Sequence, residues 1–244
     1  MRYAVISDIH ANLEALQAVF SQISILAVDA MLCLGDIVGY NADPNECLEV
    51  ARNEGIRSIM GNHDSCACGL EEADDFNPAA QKAILWTRGR LTEVNRGYLT
   101  TLPRELSVDN IFLFHGSVHD TNRYIRDTDD VRRNFSMLQE LTDKPLIGFF
   151  GHTHVQGAFS FYRGAISPEL SDELLIADSR RYLINPGSVG QPRDGDPRAA
   201  FLVYDNEEST VSFYRIEYDI GKCQEKIMKA GLPRQLAERL FRGM

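Results

Sequence analysis

Six short apolar runs along this chain each stop at polar side chains of the kind that hold metal ions. Tyr3-Ala4-Val5-Ile6 leads to Asp8 and His10, and Met31-Leu32-Cys33-Leu34 leads to Gly35-Asp36. Ile56 to Met60 is followed by Gly61-Asn62-His63-Asp64, and Ile111-Phe112-Leu113-Phe114 by His115-Gly116. Leu146 to Phe150 runs into Gly151-His152-Thr153-His154, and Tyr182-Leu183-Ile184 into Asn185-Pro186-Gly187-Ser188. Runs this short and this continuously apolar read as strands covered on both faces.

Helical patterns separate the early runs. Asn12 to Gln22 carries Leu13, Leu16, Val19 and Phe20, continuing to Ile23, at helical spacing behind an Asn12 N-cap. Asp43-Pro44-Asn45-Glu46 has the order of a capping box with proline at the first helical position, and Gly55 closes that helix. Asn77-Pro78 opens a longer helical stretch through Trp86 and Leu91 towards Tyr98. Strand–helix–strand order of this kind predicts a parallel sheet with right-handed crossovers. The later half changes character: Gly157–Tyr162, Ala199–Tyr204 and Thr210–Tyr218 leave little room for helices, and Asp205–Glu208 reads as a hairpin turn. They predict a second, more antiparallel sheet packed on the first. A helical tail covers about 221–244, and without a linker or repeat the chain reads as one domain, 1–244.

Composition narrows the function. The 244 residues are 44% hydrophobic and 25% charged, a globular rather than disordered profile. A net charge of −10 excludes an extended nucleic-acid surface, yet not a small anionic substrate held by bound cations. The opening Met1–Asp8 does not read as a signal peptide, and no apolar stretch has membrane-spanning length. Five cysteines (33, 47, 66, 68 and 223) read as reduced, buried thiols of a cytoplasmic protein. Cys66-Ala67-Cys68 is too tight for a zinc knuckle.

In an α/β sheet the carboxyl ends of the strands converge on the ligand crevice. Histidines 10, 63, 115, 152 and 154 stand at such ends with Asp8, Asp36 and Asn62. A lone histidine is ordinarily a core or surface residue, but eight such groups in one structural context point to metal. The set is rich in oxygen and nitrogen and lacks thiolate, which suits manganese, iron, zinc or cobalt. It exceeds what one ion uses and matches a pair of ions bridged by a carboxylate. The Asp8/His10 and His152/His154 spacings place each pair on one side of an extended segment.

Asp8-Ile9-His10, Gly35-Asp36, Gly61-Asn62-His63-Asp64, His115-Gly116 and Gly151-His152-Thr153-His154 resemble, in order and spacing, the five blocks of the calcineurin-like metallophosphoesterases. Asn185-Pro186-Gly187-Ser188-Val189-Gly190 resembles the small bacterial phosphodiesterase branch of that family. The resemblance implies an α/β fold (α+β by some schemes), a two-sheet β-sandwich flanked by helices. It implies two divalent transition-metal ions, manganese first, with iron, zinc, cobalt or nickel as alternatives. One would be held by Asp8, His10, Asp36 and His154, and the other by Asp36, Asn62, His115 and His152. A bridging water or hydroxide would be the nucleophile, and His63 the acid or hydrogen-bond donor towards the leaving oxygen. Asp64 reads as an orienting acceptor.

The family's phosphoprotein phosphatases continue from Gly-Asp into Asp-Arg-Gly, whereas this chain continues Gly35-Asp36-Ile37-Val38-Gly39-Tyr40. The partner of the acid histidine and the phosphate-gripping arginine are both missing there. Arg193 is the first candidate to meet phosphate, ahead of Arg123 and Arg126, because a guanidinium donates in parallel pairs. His119 is a further candidate for substrate or ligand support. The expectation is a hydrolase of small phosphate esters, a phosphodiesterase ahead of a phosphomonoesterase or nucleoside polyphosphate hydrolase. The alternative of another class is a non-catalytic binding scaffold.

Overall fold

The computed structural model describes residues 1–244 and folds them into two mixed sheets packed face to face. Its strands are β1 (Arg2–Ile6), β2 (Ala30–Cys33), β3 (Arg57–Ser58), β4 (Glu105–Val108), β5 (Ile111–Phe114), β6 (Ile147–Phe150), β7 (Gly157–Tyr162), β8 (Ala165–Glu169), β9 (Glu173–Leu175), β10 (Arg181–Asn185), β11 (Ala199–Asp205) and β12 (Thr210–Ile216). The helices are α1 (Leu13–Ile23), α2 (Pro44–Asn53), α3 (Asn62–Cys68), α4 (Pro78–Arg90), α5 (Glu93–Thr101), α6 (Thr128–Glu140), α7 (Ile220–Lys229) and α8 (Arg234–Glu238). None is long and apolar enough to cross a membrane.

One sheet runs β3-β2-β1-β11-β12-β9, the other β4-β5-β6-β10-β7-β8. The two-sheet class matches expectation, but the strands divide differently. Each sheet has a parallel triplet, β1-β2-β3 or β5-β6-β10, extended by antiparallel strands. The antiparallel strands are thus not a layer of their own: β11 returns to pair with β1, and β7 pairs with β10.

Strand alternation explains why the runs are apolar throughout. Tyr3 and Val5 of β1 face the space between the sheets with Leu113, Phe149 and Tyr182. Ala4 and Ile6 of the same strand meet Leu16 and Val19 of α1. On the opposite face Phe112 and Phe114 of β5 meet Phe135 and Leu138 of α6.

Local signals are obeyed except where tertiary partners compete. The Asn12 side chain accepts from the Ala15 amide at 3.1 Å, as expected of an N-cap. Asp43 makes no cap bond, because its carboxylate accepts from Lys226 Nζ at 2.7 Å. The helical stretch from Asn77 breaks at Leu91, and Thr92 caps a second helix through the Asn95 amide. Strands β4, β8 and β9 and helix α6 are not among the expected elements. The three strands are short and lie at sheet edges, and β8 contains Pro168, so their apolar signal is weak.

The C-terminal tail closes over the cleft side of the molecule. Cys223, Ile227, Leu236 and Leu240 pack with Ala79, Ala80 and Tyr40. Lys226 ties it down, 2.7 Å from both Glu14 and Asp43, while Lys222 lies 3.2 Å from Glu14. Glu14 is only 6% exposed. Lys226→Met leaves two carboxylates under-compensated and is expected to lower unfolding stability by about 3 kcal/mol. Urea denaturation at neutral pH checks this; an unchanged midpoint would mean the tail is held by its apolar contacts alone.

Candidate metal centre

Five of the six parallel strands deliver the residues that follow them to one cleft. Asp8 and His10 follow β1, Asp36 follows β2, and Asn62 and His63 open α3 after β3. From the other sheet, His115 follows β5, and His152 and His154 follow β6. All eight are no more than 5% exposed. Burying so many polar groups together is unfavourable unless something compensates them.

Their backbone is also strained. Asp8, His10, Asp36, His152 and His154 adopt left-handed φ values between 49° and 64°, each costing about 1–2 kcal/mol for a non-glycine residue. Interlocking hydrogen bonds hold them there. The Asp8 amide donates to Gly35 O at 3.1 Å and the His10 amide to Asp36 O at 2.9 Å. Ser188 Oγ and the Gly190 amide, both beyond β10, donate to Asp8 O at 2.8 and 3.0 Å. Gly61 has no alternative residue: an added Cβ would land on the Asp36 carboxylate.

Backbone carbonyls orient the imidazoles. His10 Nδ1 donates to Val38 O at 3.1 Å, His115 Nδ1 to Leu34 O at 2.7 Å and His154 Nδ1 to Gln191 O at 2.5 Å. The Nε2 atoms therefore turn lone pairs into the cleft, the arrangement of metal-ligating histidine. His152 does the reverse, giving Nε2 to Asn122 O at 3.1 Å and leaving Nδ1 for the cluster.

Three sets of ligand atoms result, Asp8/His10/His154, His10/Asp36/His63 and Asp36/His115/His152, each within 4.8 Å. His10 Nε2 and His154 Nε2 face each other at 3.1 Å with no hydrogen left between them. Asp36 Oδ2 is buried without a hydrogen-bond partner, and Asn62 Oδ1 lies 3.1 Å from His115 Nε2. Opposed lone pairs and an orphaned carboxylate oxygen are what a cation would satisfy, so these residues fit divalent metal. Burial pushes His10 and His154 down and His152 to about 3. Burial opposes the charged form of His115 too, yet the adjacent Asp36 carboxylate holds it up to about 9, so a cation binding there would take the place of the Nε2 proton.

The sequence profile of the calcineurin-like phosphoesterase superfamily domain matches residues 1–209. The chain belongs to this family. A crystal structure of a metallophosphoesterase from Sphaerobacter thermophilus superposes with a TM-score of 0.85 and 37% identity, covering 100% of this chain and 99% of that one. An uncharacterized protein of Methanocaldococcus jannaschii is 38% identical over 98% of this chain and 97% of its own length. A hypothetical protein of Pyrococcus horikoshii shares the fold, with a TM-score of 0.81 at 21% identity over 100% of this chain and 98% of that one. The protein is accordingly a metal-dependent phosphoric ester hydrolase, and the scaffold alternative falls away.

In this phosphoesterase the cleft over the cluster has a volume of about 270 Å³ and is lined by His63, Tyr40, Phe76, Asn122, Tyr124 and Arg193, among others. The His63 ring packs 4.4 Å from Tyr40 and 4.8 Å from Phe76, and its Nδ1 has no partner. Gly39, with φ +98°, is needed beside it, since a Cβ would strike that nitrogen. Asp64 accepts from the Gly61 and Val38 amides at 3.1 Å each, the orienting role expected of it. Burial and the nearby Asp36 raise its carboxyl to about 7.

Arg193 reaches the cleft. Its Nη2 donates to Tyr40 Oη and Gln191 Oε1, both at 3.1 Å, while Nε is buried and unpartnered. Arg123 does not reach it and pairs with Asp130 at 3.4 Å. His119 is likewise turned away: its side chain is 61% exposed and lies 3.1 Å from Glu105, which outcompetes any role in the cleft.

Residues missed in the sequence are aromatic or distant. Tyr124 sits between the two arginines singled out and stacks on His152 at 3.9 Å. Arg239, from the tail, lies 5.9 Å from the Tyr40 ring centroid, close to the 5.6 Å of Arg193. Nothing in the local pattern around Arg239 marks it. Asp75, Phe76 and Asn77 form a cleft wall, anchored where Arg88 donates to Cys66 O and Glu71 O. All five cysteines are buried and unpaired.

Proposed function

We propose that this phosphoesterase uses two divalent cations sharing Asp36, and that its preferred substrates are phosphodiesters. The observation carrying the two-ion reading is Asp36 Oδ2, unpartnered between His10 Nε2 at 3.6 Å and His115 Nε2 at 3.2 Å. Asp8, His10, Asp36 and His154 would hold one ion, and Asp36, Asn62, His115 and His152 the other. Oxygen and imidazole ligands suit manganese, and iron, zinc, cobalt or nickel would also fit. Bound there, the pair would supply Lewis acidity towards the phosphoryl oxygens and lower the pKa of a water.

The chain's own groups orient the ester. Arg193, braced by Tyr40 and Gln191, is positioned to donate to a phosphoryl oxygen. His63, wedged by Tyr40 and Phe76, is the proposed donor to the leaving oxygen. With Tyr40 where the phosphoprotein phosphatases place an arginine, donors are few, which favours a singly charged diester over a dianionic monoester. Buried thiols support a cytoplasmic setting.

Metal analysis of gently purified protein, followed by matched kinetics on bis(4-nitrophenyl) phosphate and 4-nitrophenyl phosphate, tests the reading. Two equivalents of metal and a higher kcat/KM for the diester are expected. Arg193→Ala should lower the diester value by about 1–3 kcal/mol of transition-state binding, roughly 5–150-fold. A monoester preference would overturn the diesterase assignment, and one equivalent of metal at full activity the dinuclear one.

A further inference from the structure

Beside the metal cleft lies a larger chamber of about 650 Å³, joined to it through Tyr124 and Arg193, which line both. Phosphoryl chemistry in the cleft makes no use of it. Phe150, Phe159 and Phe213 give it aromatic walls, and Val155 and Leu170, 45% and 93% exposed, also line it. Apolar side chains left in water beside a cavity gain from being covered.

Charge along the chamber is graded. Arg193 marks the shared end, and Arg126 stacks 4.0 Å over the Tyr124 ring, which itself lies on His152. Glu169 and Asp172 line the part that the cleft does not share. Cationic and aromatic groups thus adjoin the reacting centre, with hydrogen-bond acceptors beyond. His63, the proposed donor to the leaving oxygen, lines the cleft and not the chamber. With the leaving group at His63, a phosphomonoester has no second organic group for the chamber, whereas a diester does.

Resting on the diesterase reading, we propose that this chamber holds the substituent that stays on phosphorus, and that it selects a planar ring bearing hydroxyl or amino donors. The ring would lie among the phenylalanines and Tyr124, and its donors would meet Glu169 and Asp172. The volume falls within the range of small-molecule sites and accommodates a group of nucleoside size.

Gly157 supplies a clean test. It lines the chamber, its backbone is not left-handed, and an added Cβ would meet nothing within 4 Å. Gly157→Leu therefore grows into the chamber and not into the fold. Three 4-nitrophenyl diesters with one leaving group should be compared in manganese-loaded protein: methyl, phenyl and thymidine 5′-linked. We expect kcat/KM to rise in that order, with phenyl exceeding methyl about tenfold. In Gly157→Leu the thymidine-to-methyl ratio should fall by about tenfold or more; a ratio within one preparation is insensitive to the folded fraction. Equilibrium dialysis of metal-free protein should likewise show tighter binding of the thymidine 5′-methyl diester than of dimethyl phosphate, and Gly157→Leu should remove the difference. Equal rates for the three diesters, or an equal loss on all three in the variant, would overturn the chamber's role and leave the diesterase reading intact. Hydrolysis of 4-nitrophenyl phosphate with none of the diesters cleaved would sink both.

Discussion

Asp36→Asn is expected to remove most of the bound metal and to lower phosphodiester kcat/KM by about 10³-fold or more. Asp36 is the one carboxylate that belongs to two of the three ligand sets. Its Oδ2 faces His10 and His115, and its Oδ1 accepts from the His63 amide at 2.8 Å. An amide would retain the bulk but lose the charge, and its nitrogen would turn a donor towards one side. Weakening both ion sites at once forfeits several kcal/mol of charge stabilisation, and each 1.36 kcal/mol is tenfold in rate. Metal content by plasma emission and single-substrate kinetics at saturating manganese check the two halves separately. Near wild-type turnover with metal supplied would falsify the shared-carboxylate scheme.

His63→Ala is expected to separate chemistry from assembly. The protein should keep its metal while losing the ~10²–10⁴-fold typical of a proton-transferring or donating group. His63 lies within ligand distance of His10 and Asp36, so the metal measurement is decisive. Burial holds its ring down at about 4, so in the free cleft it is neutral and offers a single N–H. Hydrogen bonding to the leaving oxygen matters most when that oxygen is basic. The loss should therefore shrink for 4-nitrophenyl esters relative to alkyl esters. Disappearance of metal together with His63 would make it a ligand instead, and an equal loss for every leaving group would remove it from that end of the ester.

The cluster was legible because its residues sit directly behind apolar runs that can only be strands. Asp8, His10, Asp36, Asn62, His115, His152 and His154 all follow such runs. The Asp8/His10 and His152/His154 pairs do not lie on extended segments as expected, because both members of each adopt left-handed backbone beyond the strand. His119 shows the limit of proximity along the chain: five residues beyond the end of β5, where His115 is the very next residue, it turns away to Glu105. Asp43 shows another, since its expected cap is surrendered to a lysine on the distant tail.

By itself the sequence determined the strand ends, the glycines that must accompany them, and a donor set rich in carboxylate and imidazole. Those are local properties, set by burial, side-chain period and backbone sterics. Tertiary structure alone decided that the parallel strands belong to two sheets, and that the carboxyl ends of both meet at one cleft. It alone set Tyr40 and Tyr124 around that cleft beside Arg193 and brought Arg239 to Tyr40, and it opened the adjoining chamber. Such contacts join residues remote along the chain, as Tyr40 and Arg193 are. Side-chain packing between layers selects them, and no period or motif within a segment encodes which distant surface it will meet.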